Sequence, residues 1–220
     1  MNKQPSIEVE IWSDIMCPFC YMGKRKFEQA LNQFADAGQV NVTWRSFQLQ
    51  PDLRDQPGRN IQELLAESKG WGLEKSRKIH DQLADQARQL GLDYQFDKVV
   101  IANSFQAHRL IHLAKSQGLG DQAEERIFRA YFTEGKNTGD PETLMALGLE
   151  IGLAEAAVRE MLGSDQFADQ VHSEMAEAQT LGINGVPFFV IDRKWCISGA
   201  QDPQVFVAAL EKARAESVAG

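Results

Sequence analysis

The chain has 220 residues, 43% of them hydrophobic and 25% charged, with a formal net charge of −8. That length can bury a full core, as one domain or as a domain carrying an insertion. The acidity argues against a nucleic-acid or anionic-membrane surface and reads as solubility, and no apolar run approaches transmembrane length.

The stretch from Met1 to Ser6 holds no apolar signal region, which predicts a cytoplasmic protein. Residues 7–12, Ile-Glu-Val-Glu-Ile-Trp, alternate apolar and polar and predict a first strand. Cys17-Pro18-Phe19-Cys20 follows. Next comes a helical pattern from Tyr21 to Ala37, with Phe27, Ala30, Leu31 and Phe34 at helical spacing and Gly38 as its stop. Residues 40–47 predict a second strand, parallel to the first and reached by a right-handed crossover. Pro51 to Arg59 is polar, contains Pro57-Gly58, and reads as a loop.

From about Ile61 to Leu181 the pattern is helical, with helices expected near 61–68, 73–90, 103–117, 121–134, 141–151, 154–162 and 165–181. Gly91, Gly118, Gly135, Gly152, Gly163 and Gly182 fall at or near their ends, where left-handed caps are expected. Asp140-Pro141 is a helix-start signal. Strand character returns at residues 187–191, a turn occupies Asp192 to Lys194, and residues 195–198 complete a hairpin before a helix over 204–215.

A Cys-x-x-Cys between a strand and a helix is the layout of a thioredoxin-like redox site. The helix N-terminus offers unpaired N–H groups and partial positive charge, which favour a thiolate over a thiol. The thiolate is the nucleophile of disulfide exchange. Cys17 is therefore the expected attacking sulfur, and the more exposed one. Cys20, about one turn on, is the expected resolving thiol, more buried and higher in pKa. Pro18 sets φ at the helix start. A zinc site would need two further ligands, and Cys196, His172 and His108 show no pairing pattern, so no metal is expected. With three cysteines in all, a structural disulfide framework is not indicated. Cys196, in an apolar hairpin strand, is expected to be a buried, inert thiol.

Several segments, in this order and spacing, carry a resemblance. They are Asp14-x-x-Cys17-Pro18-Phe19-Cys20-Tyr21-x-Gly23, Asn103-Ser104-x-x-Ala107-His108-Arg109-Leu110, Ala130-Tyr131-Phe132-x-Glu134-Gly135, Gly182 to Pro187, and Ser198-Gly199-Ala200-Gln201. Through them nearly the whole chain resembles the DsbA-like branch of the thioredoxin superfamily, especially its FrnE-like cytosolic members. Those are related to kappa-class glutathione transferases and 2-hydroxychromene-2-carboxylate isomerases. The resemblance implies that Pro187 is cis and faces the cysteines, and that Val186 offers its backbone to an extended substrate. It also implies that the helix bearing His108 lies over the site. His108 itself reads first as a packed helix residue, Asn103 as that helix's cap, and Trp12 equally as a core aromatic or a neighbour of the motif.

Many DsbA-like oxidants carry His where Phe19 stands. Phe19 brings no charge to the thiolate, so the Cys17 pKa is expected above that of the strong oxidants, nearer thioredoxin's roughly 7 than the extreme near 3.5, and the pair is expected to be a weaker oxidant. In thioredoxins a buried acid lies six residues before the first cysteine; here Ile11 holds that place. Asp14 is a possible substitute, or a loop or cap aspartate.

The expected fold class is α/β, thioredoxin-like, with a large all-helical insertion between the second strand and the cis-proline strand. The domain expectation is residues 1–55 with 182–220, interrupted by a helical insertion of residues 56–181. The expected function is thiol–disulfide oxidoreduction through Cys17 and Cys20 on protein or small-molecule thiols and disulfides. No bound cofactor, nucleic acid or membrane is expected. Glutathione or another thiol carrier could serve as co-substrate, and the protein is expected to be a monomer or homodimer. The alternatives are a glutathione-dependent isomerase or transferase of the kappa-related type, and a redox-sensitive chaperone.

Overall fold

The computed structural model describes residues 6–219. The expected α/β class holds: a four-stranded sheet in the order β2-β1-β3-β4, together with helices. Strand β1 (Ile7–Ser13) pairs in parallel with β2 (Val40–Ser46), placing Ile11 beside Trp44. Helix α1 (Pro18–Leu31) makes the crossover between them. On its other side β1 pairs antiparallel with β3 (Phe188–Ile191), which pairs antiparallel with β4 (Trp195–Ser198). The β3–β4 turn is made by Asp192 and Arg193, which hold φ of 49° and 55°. Both therefore lie in the left-handed region that hairpin turns favour. Helix α9 (Pro203–Ala219) follows.

The chain divides into two compact units, one running to Phe47 and resuming at Glu174, the other spanning Gln48–Ser173. In the first unit β1 is central, so both its edges are paired, and side chains pack on both its faces. Ile7, Val9 and Ile11 pack with Phe27, Ala30 and Phe34, and with Phe206, Leu210 and Ala213 of α9. Trp12 and Val190, on the opposite face, pack with Ala178 and Ile183. The alternation read at residues 7–12 thus marks two buried faces rather than one wet and one dry. Glu10 is buried because Arg45 and Arg193 neutralise it.

Helix α1 departs from its expected bounds at both ends. It begins at Pro18, whose fixed φ and missing N–H suit a first helical position. It ends at Leu31 rather than Ala37, and a 3-10 turn at Ala37–Gln39 leads into β2. Phe34 is still buried, packed from the turn beyond the helix.

The second unit contains α2 (Ile61–Ser68), α3 (Leu73–Gln89), α4 (Phe105–Ser116), α5 (Gly120–Arg129), α6 (Pro141–Glu150) and α7 (Glu155–Leu162). Helix α8 (Ala168–Thr180) begins in this unit and ends in the first. The end of α5 widens into a π-turn at Ala130–Glu134, closed by Gly135 at φ 66°. A Cβ there would lie 2.5 Å from the Lys98 carbonyl oxygen, so only glycine fits. Gly163 ends α7 at φ −87°, not in the left-handed conformation expected of it. Asn103 serves the start of α4 from one residue further out than a cap. Ser104 is the N-cap, and Asn103 Oδ1 accepts the Phe105 N–H at 2.9 Å. Among the described residues no helix is long and apolar enough to cross a membrane.

The rings of Phe27, Phe189 and Phe206 meet with centroids 4.6–5.6 Å apart, tying α1, β3 and α9 into one core. Truncating a buried Phe to Ala costs about 3–5 kcal/mol. Phe206→Ala is expected to lower the unfolding free energy by about that amount, measured as the urea midpoint at unchanged slope.

Candidate active site

The end of β1 delivers the chain into a tight turn. Asp14 is fully buried; its Oδ1 accepts the Met16 N–H at 3.4 Å and its carbonyl accepts the Cys17 N–H at 3.0 Å. Cys17 then takes an extended N-cap conformation (φ −90°, ψ 112°), and its carbonyl accepts the Cys20 N–H at 3.0 Å. Asp14 therefore acts here as a turn former, one of the two roles read for it.

Cys17 and Cys20 are both free thiols. Both are buried, at 4% and 0% exposure, so Cys17 is only marginally the more exposed of the pair. The Cys20 thiol is pushed well above the ordinary 9.0, first by burial, then by its hydrogen bond to Cys17 and by repulsion from a Cys17 charge. The Asp14 backbone and the Ser13 hydroxyl pull it the other way. Phe19, the residue between, projects outward at 45% exposure.

From the far end of the sequence, the segment before β3 meets this turn. The Val186–Pro187 peptide is cis, and the Val186 carbonyl oxygen lies 3.4 Å from Cys17 Sγ. The Pro187 carbonyl accepts the Gly199 N–H at 2.8 Å, and Lys26 Nζ of α1 donates to the Ala200 carbonyl at 2.8 Å. Three chain segments are thereby pinned around one sulfur.

Gly23 makes this approach possible. A Cβ at that position would stand 2.9 Å from Pro187 Cγ and 3.6 Å from Ala200 Cβ. The proline ring is not a flexible tail that swings aside. Sequence reading placed Gly23 in the motif without a role; its one signal was a glycine inside an otherwise helical pattern. Ser13 was missed altogether. It is fully buried, and its Oγ makes no hydrogen bond of ordinary geometry.

Trp12 is buried behind the site, in the cluster that also includes Val186 and Phe188. Its Nε1–H donates to the Glu174 carbonyl at 3.1 Å, and the Arg45 and Arg193 guanidiniums each stand 5.9 Å from its ring. His108 sits on α4 in the other unit, buried to 1% exposure. Cys196 corrects an expectation: it is exposed. β4 is an edge strand, and its alternation turns Ile197 into the core and Cys196 away from it. Among the described residues no three His, Cys, Asp or Glu side chains gather where they could hold a metal ion.

Residues 8–211 match the family model of the DSBA-like thioredoxin domain. The crystal structure of a probable DsbA oxidoreductase from Streptomyces coelicolor superposes with a TM-score of 0.90 at 37% identity, covering 96% of this chain and 91% of that one. The cytosolic disulfide reductase DsbM of Pseudomonas aeruginosa has a TM-score of 0.64 at 18% identity, over 93% of this chain and 97% of its own. YwbO, an uncharacterised protein of Bacillus subtilis, is 28% identical over 207 residues, 93% of this chain and 96% of its own.

Two outcomes test the geometry. Alanine normally stabilises a helix interior relative to glycine by about 0.5–1 kcal/mol. Gly23→Ala should instead destabilise by about 1–3 kcal/mol, the cost of overpacking, read as a lower urea midpoint. The second concerns pH. A fold that raises the Cys20 pKa favours the neutral thiol, so its contribution is complete below the unfolded thiol's 9.0 and is lost as pH rises towards the folded value. The reduced protein's urea midpoint should fall above about pH 9, and fall less in Cys20→Ser.

Proposed function

The chain belongs to the DSBA-like thioredoxin-domain family, and from that premise we propose that it is a protein disulfide oxidoreductase working through Cys17 and Cys20. The observation that carries this reading is the Cys17 sulfur at the N-terminus of α1, 3.4 Å from the Val186 carbonyl and about one helical turn from a second buried thiol, Cys20.

Cys17, as thiolate, attacks one sulfur of a substrate disulfide. A bond forms between Cys17 Sγ and that sulfur, and the other substrate sulfur leaves with the electron pair and takes a proton. Cys20 then loses its proton and attacks Cys17 Sγ. The internal disulfide forms and the second substrate sulfur departs as a thiol. Run backwards, the oxidised pair oxidises a dithiol. The high pKa of Cys20 keeps it a neutral thiol during the first step, so that Cys17 alone is the nucleophile. An extended substrate pairs with the Val186 backbone in the manner of an added strand. Phe19, half exposed beside Cys17, offers that substrate an apolar contact rather than a charge.

No bound cofactor is needed. Glutathione or another thiol carrier recycles the pair in the cytoplasm, a reading supported at the level of fold by the structure of DsbM with glutathione.

Equilibration of the pair in glutathione buffers tests the proposal. A reversible two-electron couple at about −200 mV or lower is expected, and Cys17→Ser should abolish it. Cys20→Ser should accumulate a mixed disulfide visible by mass. A couple near about −120 mV would mark a strong oxidant and overturn the cytoplasmic recycling scheme. The absence of any couple, with glutathione-conjugate turnover by Cys20→Ser, would replace the proposal with a glutathione-dependent isomerase.

A further inference from the structure

Ser13 is the last residue of β1, and its backbone is locked in place. Its carbonyl accepts the Phe47 N–H at 3.0 Å, and it stands beside Ser46 in the parallel ladder. Its side chain is fully buried, and its Oγ has no hydrogen-bond partner, although buried hydroxyls are almost always bonded. Successive strand residues alternate faces, so Ser13 shares the face of Ile11, against which α1 packs. Cys20, equally buried, is on α1, the helix packed on that face, and the Ser13 hydroxyl is among the groups that lower the pKa of its thiol.

The usual means of handling the resolving thiol's proton is missing from this strand. Ile11 is a hydrocarbon. Glu10 faces away from Ile11 and is held by Arg45 and Arg193. We propose that the Ser13 hydroxyl is a positioning donor for the resolving sulfur, directing its O–H onto Cys20 Sγ as that sulfur becomes a thiolate and displaces the substrate.

This inference rests on the dithiol mechanism above. In the step concerned, the Cys20 S–H bond and the bond between Cys17 and the substrate sulfur break, and the Cys17–Cys20 bond forms. The substrate sulfur leaves with the electron pair and takes up one proton. Ser13 keeps its own proton throughout. A neutral donor already aimed at the place where charge appears stabilises that charge without burying another one. With no competing partner to surrender, its O–H turns to the thiolate at no cost in broken hydrogen bonds. Asp14 contributes a second donor from its backbone, so the nascent thiolate is met by two adjacent residues.

The test uses the full chain and the chromogenic disulfide dithiobis-nitrobenzoate. Attack by Cys17 releases one coloured thiolate and resolution by Cys20 releases a second, so stopped-flow absorbance separates the steps. Ser13→Thr and Ser13→Val are compared with each other as well as with the native protein. The two side chains have nearly the same shape, and only Thr keeps the hydroxyl. The ratio of second-phase to first-phase rate is expected to be roughly tenfold to a hundredfold lower in Ser13→Val than in Ser13→Thr, the range for losing one donor to a charged group. The pH midpoint of the second phase should rise in Ser13→Val and stay near the native value in Ser13→Thr. Equal ratios and equal midpoints in the two variants would overturn the role of Ser13 while leaving the dithiol mechanism standing. A native protein with no second phase would overturn the mechanism itself, and this inference with it.

Discussion

The close approach of α1 to the Val186–Pro187 segment is the constraint on which the site depends. It places the Cys17 sulfur 3.4 Å from the Val186 carbonyl, and it is possible only because Gly23 presents no Cβ to the Pro187 ring. The approach is reinforced from both sides, by Lys26 reaching the Ala200 carbonyl and by Gly199 bonding the Pro187 carbonyl. In the proposed function, a sulfur held this way has a defined line of attack, and the backbone edge beside it aligns an extended partner.

Electrostatics divides the two faces of β1. On one face Glu10 joins Arg45 and Arg193, which in turn reach Glu174 and Glu177, and the two guanidiniums flank the Trp12 ring. These charges are partly buried and paired with one another, so they tie β1, β2, the hairpin turn and α8 together. On the other face lie hydrocarbon and the buried hydroxyl of Ser13. The field around Cys20 is thus governed by burial, by Cys17 and by two neutral donors.

Much of the fold was legible because its signals are local. The helix at 61–68 and the strand at 195–198 fall where periodicity and turn residues put them, and Asp140-Pro141 opens α6 with the Asp140 side chain capping the Thr143 N–H. The misreadings share a cause. Phe34 kept helical spacing, yet α1 stops at Leu31, because burial of Phe34 is satisfied from a turn as well as from a helix. Cys196 looked buried because its neighbours are apolar, but a strand's two faces meet different surroundings, and the face of an edge strand is assigned by what packs on it. The alternation of β1 was read correctly as a strand, without indicating that helices would cover both faces.

For the site, the sequence by itself determined the chemistry: two thiols one helical turn apart at a strand-to-helix junction, with Pro18 setting the helix start and no charge at Phe19. These follow from residue identity and short spacing, which need no knowledge of distant contacts. Only the tertiary structure decided what surrounds them. Val186 lies 169 residues from Cys17 in the chain, Gly23 earns its place through a ring it touches across that gap, and Ser13 matters through a sulfur on the next element. Such relations depend on how strands register and helices pack, and a hydroxyl or a missing Cβ leaves no periodic trace in the sequence to announce them.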